Sequence, residues 1–354
     1  MKSYFRPEIN ALAGYVPGEQ PKLTRLVKLN TNENPYPPSP AVTQALQTLD
    51  PDRLRRYPDP NCDRLRSAVA DRWGVGMDQV IFGNGSDDIL TMIFRAFTDQ
   101  ERPVAVPEPT YSLYPVLAAM QGAKTIRIPL DPNDFSLPED FLQQAKGANL
   151  LAIARPNAPT GNNFPLETIR QICGGFDGVV LIDEAYADFA DDNCSALVKE
   201  FPNVIVSRTF SKSYSLAGTR LGYAVSSPEI ISGLFKLKDS YNVDAATQEI
   251  GLAAYQDTAY LADCVAKVKT SREALRRDLL ALGFAVGESQ TNFLWAAPPD
   301  GNGEAYFRYL RERAIIVRYF PGESTGKYVR ITIGTPEAME ELMAVTREFC
   351  GAKN

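Results

Sequence analysis

Lys212 stands in the run Ser207-Arg208-Thr209-Phe210-Ser211-Lys212-Ser213-Tyr214-Ser215-Leu216-Ala217-Gly218-Thr219-Arg220-Leu221-Gly222-Tyr223. A lysine amine attacks an aldehyde when its surroundings lower its pKa. Arg220 follows eight residues later (220 minus 212), Ser211 and Ser213 flank the lysine, and the small pair Ala217-Gly218 lets the backbone bend close to a ligand. Lysine for covalent capture, with arginine and hydroxyls for a phosphate, is the chemistry of a pyridoxal phosphate site. A lone lysine in a polar loop is more often simply solvated, so the reading depends on what else the chain supplies.

Asp183 closes the apolar run Val179–Ile182 in the string Ile182-Asp183-Glu184-Ala185-Tyr186. A carboxylate at the C-terminal end of a parallel strand faces the ligand crevice of an open α/β sheet. There it can pair with a pyridinium nitrogen, and Tyr186 can donate to a ring hydroxyl; in isolation such an Asp is more often a helix cap. Gly83-Asn84-Gly85-Ser86-Asp87-Asp88 joins a strand to the helical pattern Ile89–Phe97, where glycines and free N–H groups suit a phosphate. Many strand-to-helix turns carry the same residues for capping alone. Arg155-Pro156-Asn157-Ala158-Pro159-Thr160-Gly161 is a rigid turn after another strand, holding Asn157. Tyr111, after a further strand, can stack on a planar ring or merely pack.

The chain contains no histidine. That removes the commonest general base, the Ser-His-Asp and Cys-His systems, and every His-based metal site. Proton transfer is left to lysine, tyrosine or a carboxylate. A net charge of -6 offers no broad basic field for nucleic acid. Cys62, Cys173, Cys194, Cys264 and Cys350 form no CxxC pair, so neither a metal knuckle nor a disulfide framework is indicated, and reduced cytosolic thiols are expected. No apolar run approaches the ~20 residues of a membrane span, and Met1–Glu8 lacks the character of a signal or transit peptide. A cytoplasmic protein is the expectation.

The elements that must position these residues alternate between residues 78 and 225. Val80–Phe82, Pro103–Val106, Lys124–Ile128, Leu150–Ala154, Val179–Ile182, Val204–Val206 and Gly222–Val225 are short β-rich runs separated by helical patterns. They predict an α/β layer with a mostly parallel seven-stranded sheet flanked by helices. The last connection is too short for a crossover helix, so its strand is expected to be antiparallel. A long helical pattern over Thr258–Leu282 leads into strands at Asn292–Trp295, Ile315–Val317 and Tyr328–Ile333, and helices at Ala305–Arg313 and from Pro336. The expected division is an N-terminal arm contributing to the small domain (1–38), a large domain (39–257) and a small α+β domain (258–354). The proline-rich first ~35 residues read as an extended arm.

The order of these motifs resembles the fold-type-I pyridoxal phosphate enzymes, and the histidinol-phosphate aminotransferases among them. Leu29–Tyr36, Arg56–Asp59, Gly83–Asp87, Asp183–Tyr186, the Lys212 run, Ser289–Leu294 and Val329–Gly334 carry the likeness along nearly the whole chain. The resemblance implies that Lys212 binds pyridoxal 5'-phosphate covalently, Asp183 pairs with its ring nitrogen and Tyr186 reaches its ring oxygen. It implies Gly85, Ser86, Asp87, Ser211 and Arg220 around the phosphate, Tyr111 on the ring, and Tyr57 reaching the cofactor of a partner subunit in a homodimer. Tyr15, Asn32, Arg318 and Arg330 are implied to hold small anionic substrates. No metal is expected.

One position departs from the pattern. The family usually has Asn-Asn before Pro-Thr-Gly, and Ala158 stands where the second asparagine would. Either Asn157 takes over the contact with the ring oxygen or Tyr186 carries it alone. The implied reaction is transamination between L-histidinol phosphate and 2-oxoglutarate. Alternatives are an aromatic (phenylalanine or tyrosine) aminotransferase, or a threonine-phosphate decarboxylase of the same fold, which tends to carry an N-terminal His-Gly-Gly absent here. A non-catalytic cofactor-binding module predicts a lost lysine or an added DNA-binding segment, and the chain has neither feature.

Overall fold

The computed structural model describes residues 3–20 and 26–351; residues 1, 2, 21–25 and 352–354, with Pro21 of the arm, lie outside the described residues. In chain order the strands are β1 Val27–Lys28, β2 Val80–Gly83, β3 Val104–Glu108, β4 Thr125–Pro129, β5 Leu150–Ala154, β6 Val179–Asp183, β7 Val204–Thr209, β8 Gly222–Val225, β9 Ala285–Val286, β10 Phe293–Ala297, β11 Ile315–Ile316, β12 Arg318–Tyr319 and β13 Val329–Thr332.

Strands β2 to β8 form one sheet in the order β2-β8-β7-β6-β5-β3-β4. Its pairings are parallel except for β8, which lies antiparallel between β7 and β2, as the short connection predicts. Both faces of the inner strands are covered, which is why those strands read as apolar runs, whereas β4 at the edge carries Thr125 and Arg127 and is partly exposed. Val180 and Ile182 enter one core while Leu181 enters the opposite one; Val204 and Val206 likewise oppose Ile205. Helices Asp63–Trp73, Leu166–Gly175 and Ala245–Gln256 cover the first face with Leu65, Val69, Ile169, Ile172 and Ile250. Helices Ser86–Phe97, Leu113–Met120 and Pro228–Phe235 cover the second with Ile89, Ile93, Leu117 and Leu234. Each such side chain contributes roughly 1.5–3 kcal/mol by leaving water.

Helix Thr258–Ala281 leads into a four-stranded antiparallel sheet in the order β12-β13-β10-β9. Its core, with Phe293, Ile331, Leu310 and Leu342, also takes in Leu29 from the N-terminal segment. Two expectations need correction. The strand foreseen at Ile315–Val317 ends at Ile316 and pairs in parallel with β1, and the chain then turns into β12 against β13. The first ~35 residues are not simply an extended, unpacked arm, since Pro7–Ala11 is a short helix begun by proline and Val27–Lys28 is an extended strand that packs by pairing with β11.

Parallel strands bring their C-terminal ends to one edge, where the chain must leave the sheet. Gly83, Glu108, Ala154, Asp183 and Thr209 end β2, β3, β5, β6 and β7 there.

Candidate active site

A cavity of about 250 Å³ opens at that edge, and Asp183 and Lys212 both line it. Asp183 is the last residue of β6 and is buried. Tyr114 Oη donates to its Oδ2 at 2.8 Å and Ser207 Oγ to its Oδ1 at 3.2 Å. Burial pushes the carboxyl up from 3.8 to about 6, against the pull of these two hydroxyls. Among the described residues it has no cationic partner within ion-pair distance. A buried carboxyl served only by hydroxyls is therefore available to a cationic N–H donor in the cavity.

Lys212 follows the end of β7. Its Nζ donates to the Thr31 carbonyl at 3.1 Å and lies 5.9 Å from the Tyr186 ring centre. Burial, and next the Arg330 charge, bring the amine down from 10.5 to about 8. Near neutral pH a usable fraction is thus uncharged and nucleophilic. The Tyr186 hydroxyl accepts from Asn32 Nδ2 at 2.8 Å, which leaves its own proton for an oxygen in the cavity. Asn32 is itself clamped, since Thr332 Oγ1 donates to its Oδ1 at 2.9 Å and Asn292 Nδ2 to its carbonyl at 3.0 Å.

Helix Ser86–Phe97 starts at the same edge. Its N-cap is Gly85, whose φ of +84° suits glycine and whose missing side chain leaves the first N–H groups without a cap. A Cβ at Gly85 would sit 2.7 Å from Arg220 Nη2. That guanidinium pairs with Asp87 Oδ2 at 3.0 Å and reaches Ser211 Oγ at 3.4 Å. Free N–H groups at a helix start, a hydroxyl and an arginine make an anion site. Tyr111 Oη donates to the other Asp87 oxygen at 3.3 Å, and its ring meets those of Tyr15 and Tyr114 edge-on.

Arg330 and Arg318 come from β13 and β12, across the cavity from the large sheet. Arg330 Nη2 donates to the Asn30 carbonyl at 3.1 Å, while its buried Nε has no partner. Burial holds its pKa below the usual arginine value. Arg318 spends two donors on the carbonyls of Val16 and Pro17, at 2.9 and 3.1 Å. Among the described residues neither arginine meets a carboxylate, so the cavity has two positive charges open to an anion.

Of the residues singled out by sequence, Tyr15, Asn32, Ser86, Asp87, Tyr111, Asp183, Tyr186, Ser211, Lys212, Arg220, Arg318 and Arg330 share this cavity, with Gly85 against Arg220. Two do not. Asn157 lies outside the lining, with Nδ2 donating to the Pro109 carbonyl and Thr160 Oγ1, and Oδ1 accepting from Thr110. Ala158 lines the cavity in its stead, so Asn157 has no spare group to replace the missing asparagine. Tyr57 is 81% exposed and stacks on Tyr241 at 4.3 Å. Sequence reasoning missed Tyr114, Ser207 and Thr31. Ser207 had a visible signal: a small polar residue ending the apolar run Val204-Ile205-Val206, in register with Asp183 across β6 and β7.

Residues 24–345 match the family model for aminotransferase class I and II. The chain is 47% identical over 350 residues to "Histidinol-phosphate aminotransferase 1" of Trichormus variabilis, covering 99% of each chain. It is 43% identical over 354 residues to the histidinol-phosphate aminotransferase of Chromohalobacter salexigens, covering 99% of this chain and 100% of that one. A crystal structure of histidinol-phosphate aminotransferase from Sinorhizobium meliloti in complex with pyridoxal-5'-phosphate matches with a TM-score of 0.90 and 25% identity, over 100% of this chain and 99% of that one.

Proposed function

The chain belongs to the histidinol-phosphate aminotransferases within aminotransferase class I and II, and from that premise we propose that it transfers the amino group of L-histidinol phosphate to 2-oxoglutarate. The products are imidazole acetol phosphate and L-glutamate. The observation that carries the reading is the meeting of Lys212, softened to about 8, and a cation-free buried Asp183 on one cavity that also holds two unpaired arginines.

The donor set fits pyridoxal 5'-phosphate. Asp183 would face the ring nitrogen and keep it protonated, Tyr186 would reach the ring oxygen, and Tyr111 would lie on the ring. Gly85, Ser86, Asp87, Ser211 and Arg220 would surround the phosphate. When bound, the cofactor supplies a carbonyl for covalent attachment of amines and a ring that spreads the charge left by proton removal.

The chain's own groups do the rest. Lys212 Nζ would take the proton from the amine-bearing carbon and deliver a proton to the carbon that was the cofactor's carbonyl, a shift that a single mobile base can make without histidine. Asn32 holds the Tyr186 phenol in place and leaves its proton facing the cavity. Arg330 and Arg318, with Tyr15, bind the anionic end of the substrate, a phosphate in one half-reaction and a carboxylate in the other. With Asn157 turned away, Tyr186 carries the ring-oxygen contact alone.

The working unit is a homodimer in which Tyr57 reaches the partner's cofactor; its exposure beside Tyr241 supports this. We place the protein in the cytoplasm. Five free cysteines and the lack, among the described residues, of a helix long and apolar enough to cross a membrane support that placement.

Single-turnover rates with L-histidinol phosphate, phenylalanine, tyrosine and threonine phosphate test the substrate. The expected order puts histidinol phosphate first. Faster turnover of phenylalanine or tyrosine would instead assign an aromatic aminotransferase, and carbon dioxide release from threonine phosphate a decarboxylase.

A further inference from the structure

Tyr186 can serve a ring oxygen only if its single proton points into the cavity. Its oxygen accepts from Asn32 Nδ2 at 2.8 Å, and among the described residues the phenol donates to no protein group. Burial holds the phenol above its ordinary pKa, so the proton is present at working pH. The direction of that proton depends on the Asn32 amide. An amide can turn over and exchange its oxygen and nitrogen. With Oδ1 toward Tyr186, the phenol would spend its proton on Asn32 and face the cavity only as an acceptor.

Thr332, the last residue of β13, fixes the amide. Its Oγ1 accepts from the Asn32 backbone N–H at 3.0 Å and donates to Asn32 Oδ1 at 2.9 Å. Thr332 and Asn32 are only 3% and 1% exposed, so water is no substitute partner. With the amide reversed, Nδ2 would face the Thr332 hydroxyl, whose own proton would lose its acceptor. A buried donor left unmet disfavours that state by roughly tenfold or more. The backbone on either side is also held, since Asn292 Nδ2 donates to the Asn32 carbonyl and the Thr332 N–H to the Leu29 carbonyl, each at 3.0 Å.

We propose that Thr332 is a positioning residue that directs the Tyr186 proton into the cavity through Asn32. The inference rests on the reading that Tyr186 alone carries the ring-oxygen contact. Ala158 gives the relay its weight: it lines the cavity where a second asparagine donor would stand, so a misdirected phenol has no neighbour at that position to cover for it. Arg330 lies two residues earlier on the same face of β13. The strand that would hold the substrate's anionic end therefore also sets the proton at the ring.

The test is the pH midpoint of the Lys212-linked absorption band of the pyridoxal phosphate-loaded protein, which needs no substrate. A donor aimed at the ring oxygen stabilises its negative charge, loosens the proton it shares with the Lys212-linked nitrogen, and lowers the midpoint. Tyr186→Phe should raise the midpoint by about one pH unit or more. Thr332→Val, which keeps the shape and removes the hydroxyl, should raise it by at least about half as much, and Thr332→Ser should restore the parent midpoint. Thr332→Cys, with a weaker donor of similar size, carries the same test should the valine protein not fold. In an Ala158→Asn background, which supplies a second donor, the Thr332→Val shift should shrink. An unmoved midpoint in Tyr186→Phe overturns the ring-oxygen reading and the relay with it. A shift in Tyr186→Phe but none in Thr332→Val, no recovery in Thr332→Ser, or a full-size valine shift in the Ala158→Asn background overturns the relay alone.

Discussion

Tyr114 donates its phenolic hydrogen to Oδ2 of Asp183 at 2.8 Å, across 69 residues of chain, and both groups are buried. The bond moderates the cost of burying a carboxyl without a cation, yet the group still titrates near 6. The arrangement is held ready for a partner that the protein does not itself provide.

Replacing Asp183 with Asn should therefore stabilise the cofactor-free protein while sharply slowing catalysis. The folded-state pKa lies above the unfolded one, so the carboxyl is tolerated below about 3.8 and its cost grows as pH rises to about 6. Near neutral pH the variant should gain roughly 1–3 kcal/mol, a few degrees in melting temperature. The gain should shrink as pH falls through about 6. Thermal melts across pH give this directly. Transamination should fall by about 10²–10³ or more as the charge opposite the ring is lost.

The Lys212 amine is depressed, so covalent capture of cofactor should follow its neutral form. The rate at which the cofactor-free protein takes up pyridoxal phosphate should rise with pH and level off with a midpoint of about 8, not 10.5. Lys212→Ala should show no lysine-linked absorption band, and its turnover should fall by at least about 10²–10⁴. The sign for stability is the reverse of a salt-bridged lysine: burial cost is full below about 8 and vanishes above 10.5. Lys212→Met should accordingly melt higher near neutrality and not in strong alkali.

Arg330 and Arg318 should divide their effects. Arg330 has a buried unpaired Nε and lies inside the cavity. Arg330→Ala should lower kcat/KM for both anionic substrates by about 10²–10³, a charge-assisted bond or two. Arg318 binds the carbonyls of Val16 and Pro17. Arg318→Ala should raise KM less and should also expose the 16–17 segment to protease, read by limited digestion with and without substrate.

Gly85→Ala should strike the phosphate corner twice. Its φ of +84° with ψ of 165° is a conformation that costs a side-chain residue ~1–3 kcal/mol. Its new Cβ would fall 2.7 Å from Arg220 Nη2 and push that guanidinium aside. Cofactor affinity should drop by about tenfold or more, measured by equilibrium dialysis, with a smaller effect on turnover at saturating cofactor.

Much of this molecule is written locally. The inner strand runs are legible because a sheet covered on both faces needs unbroken apolar stretches, and Asp183 and Lys212 are legible because one ends and the other follows such a run at the edge where parallel strands release the chain, with Arg220 just ahead of β8. The lack of histidine, a property of composition alone, already confined proton transfer to lysine, tyrosine or a carboxylate. Tertiary structure decided what surrounds those groups. Tyr114 reaches Asp183, Thr31 reaches Lys212 and β1 pairs with β11 only because strand order folds distant segments together. The same packing turned Asn157 inward to Thr160 and left Ala158 facing the cavity. Spacing along a chain can nominate a reactive residue, but its partners and its pKa depend on burial and on contacts that spacing does not contain.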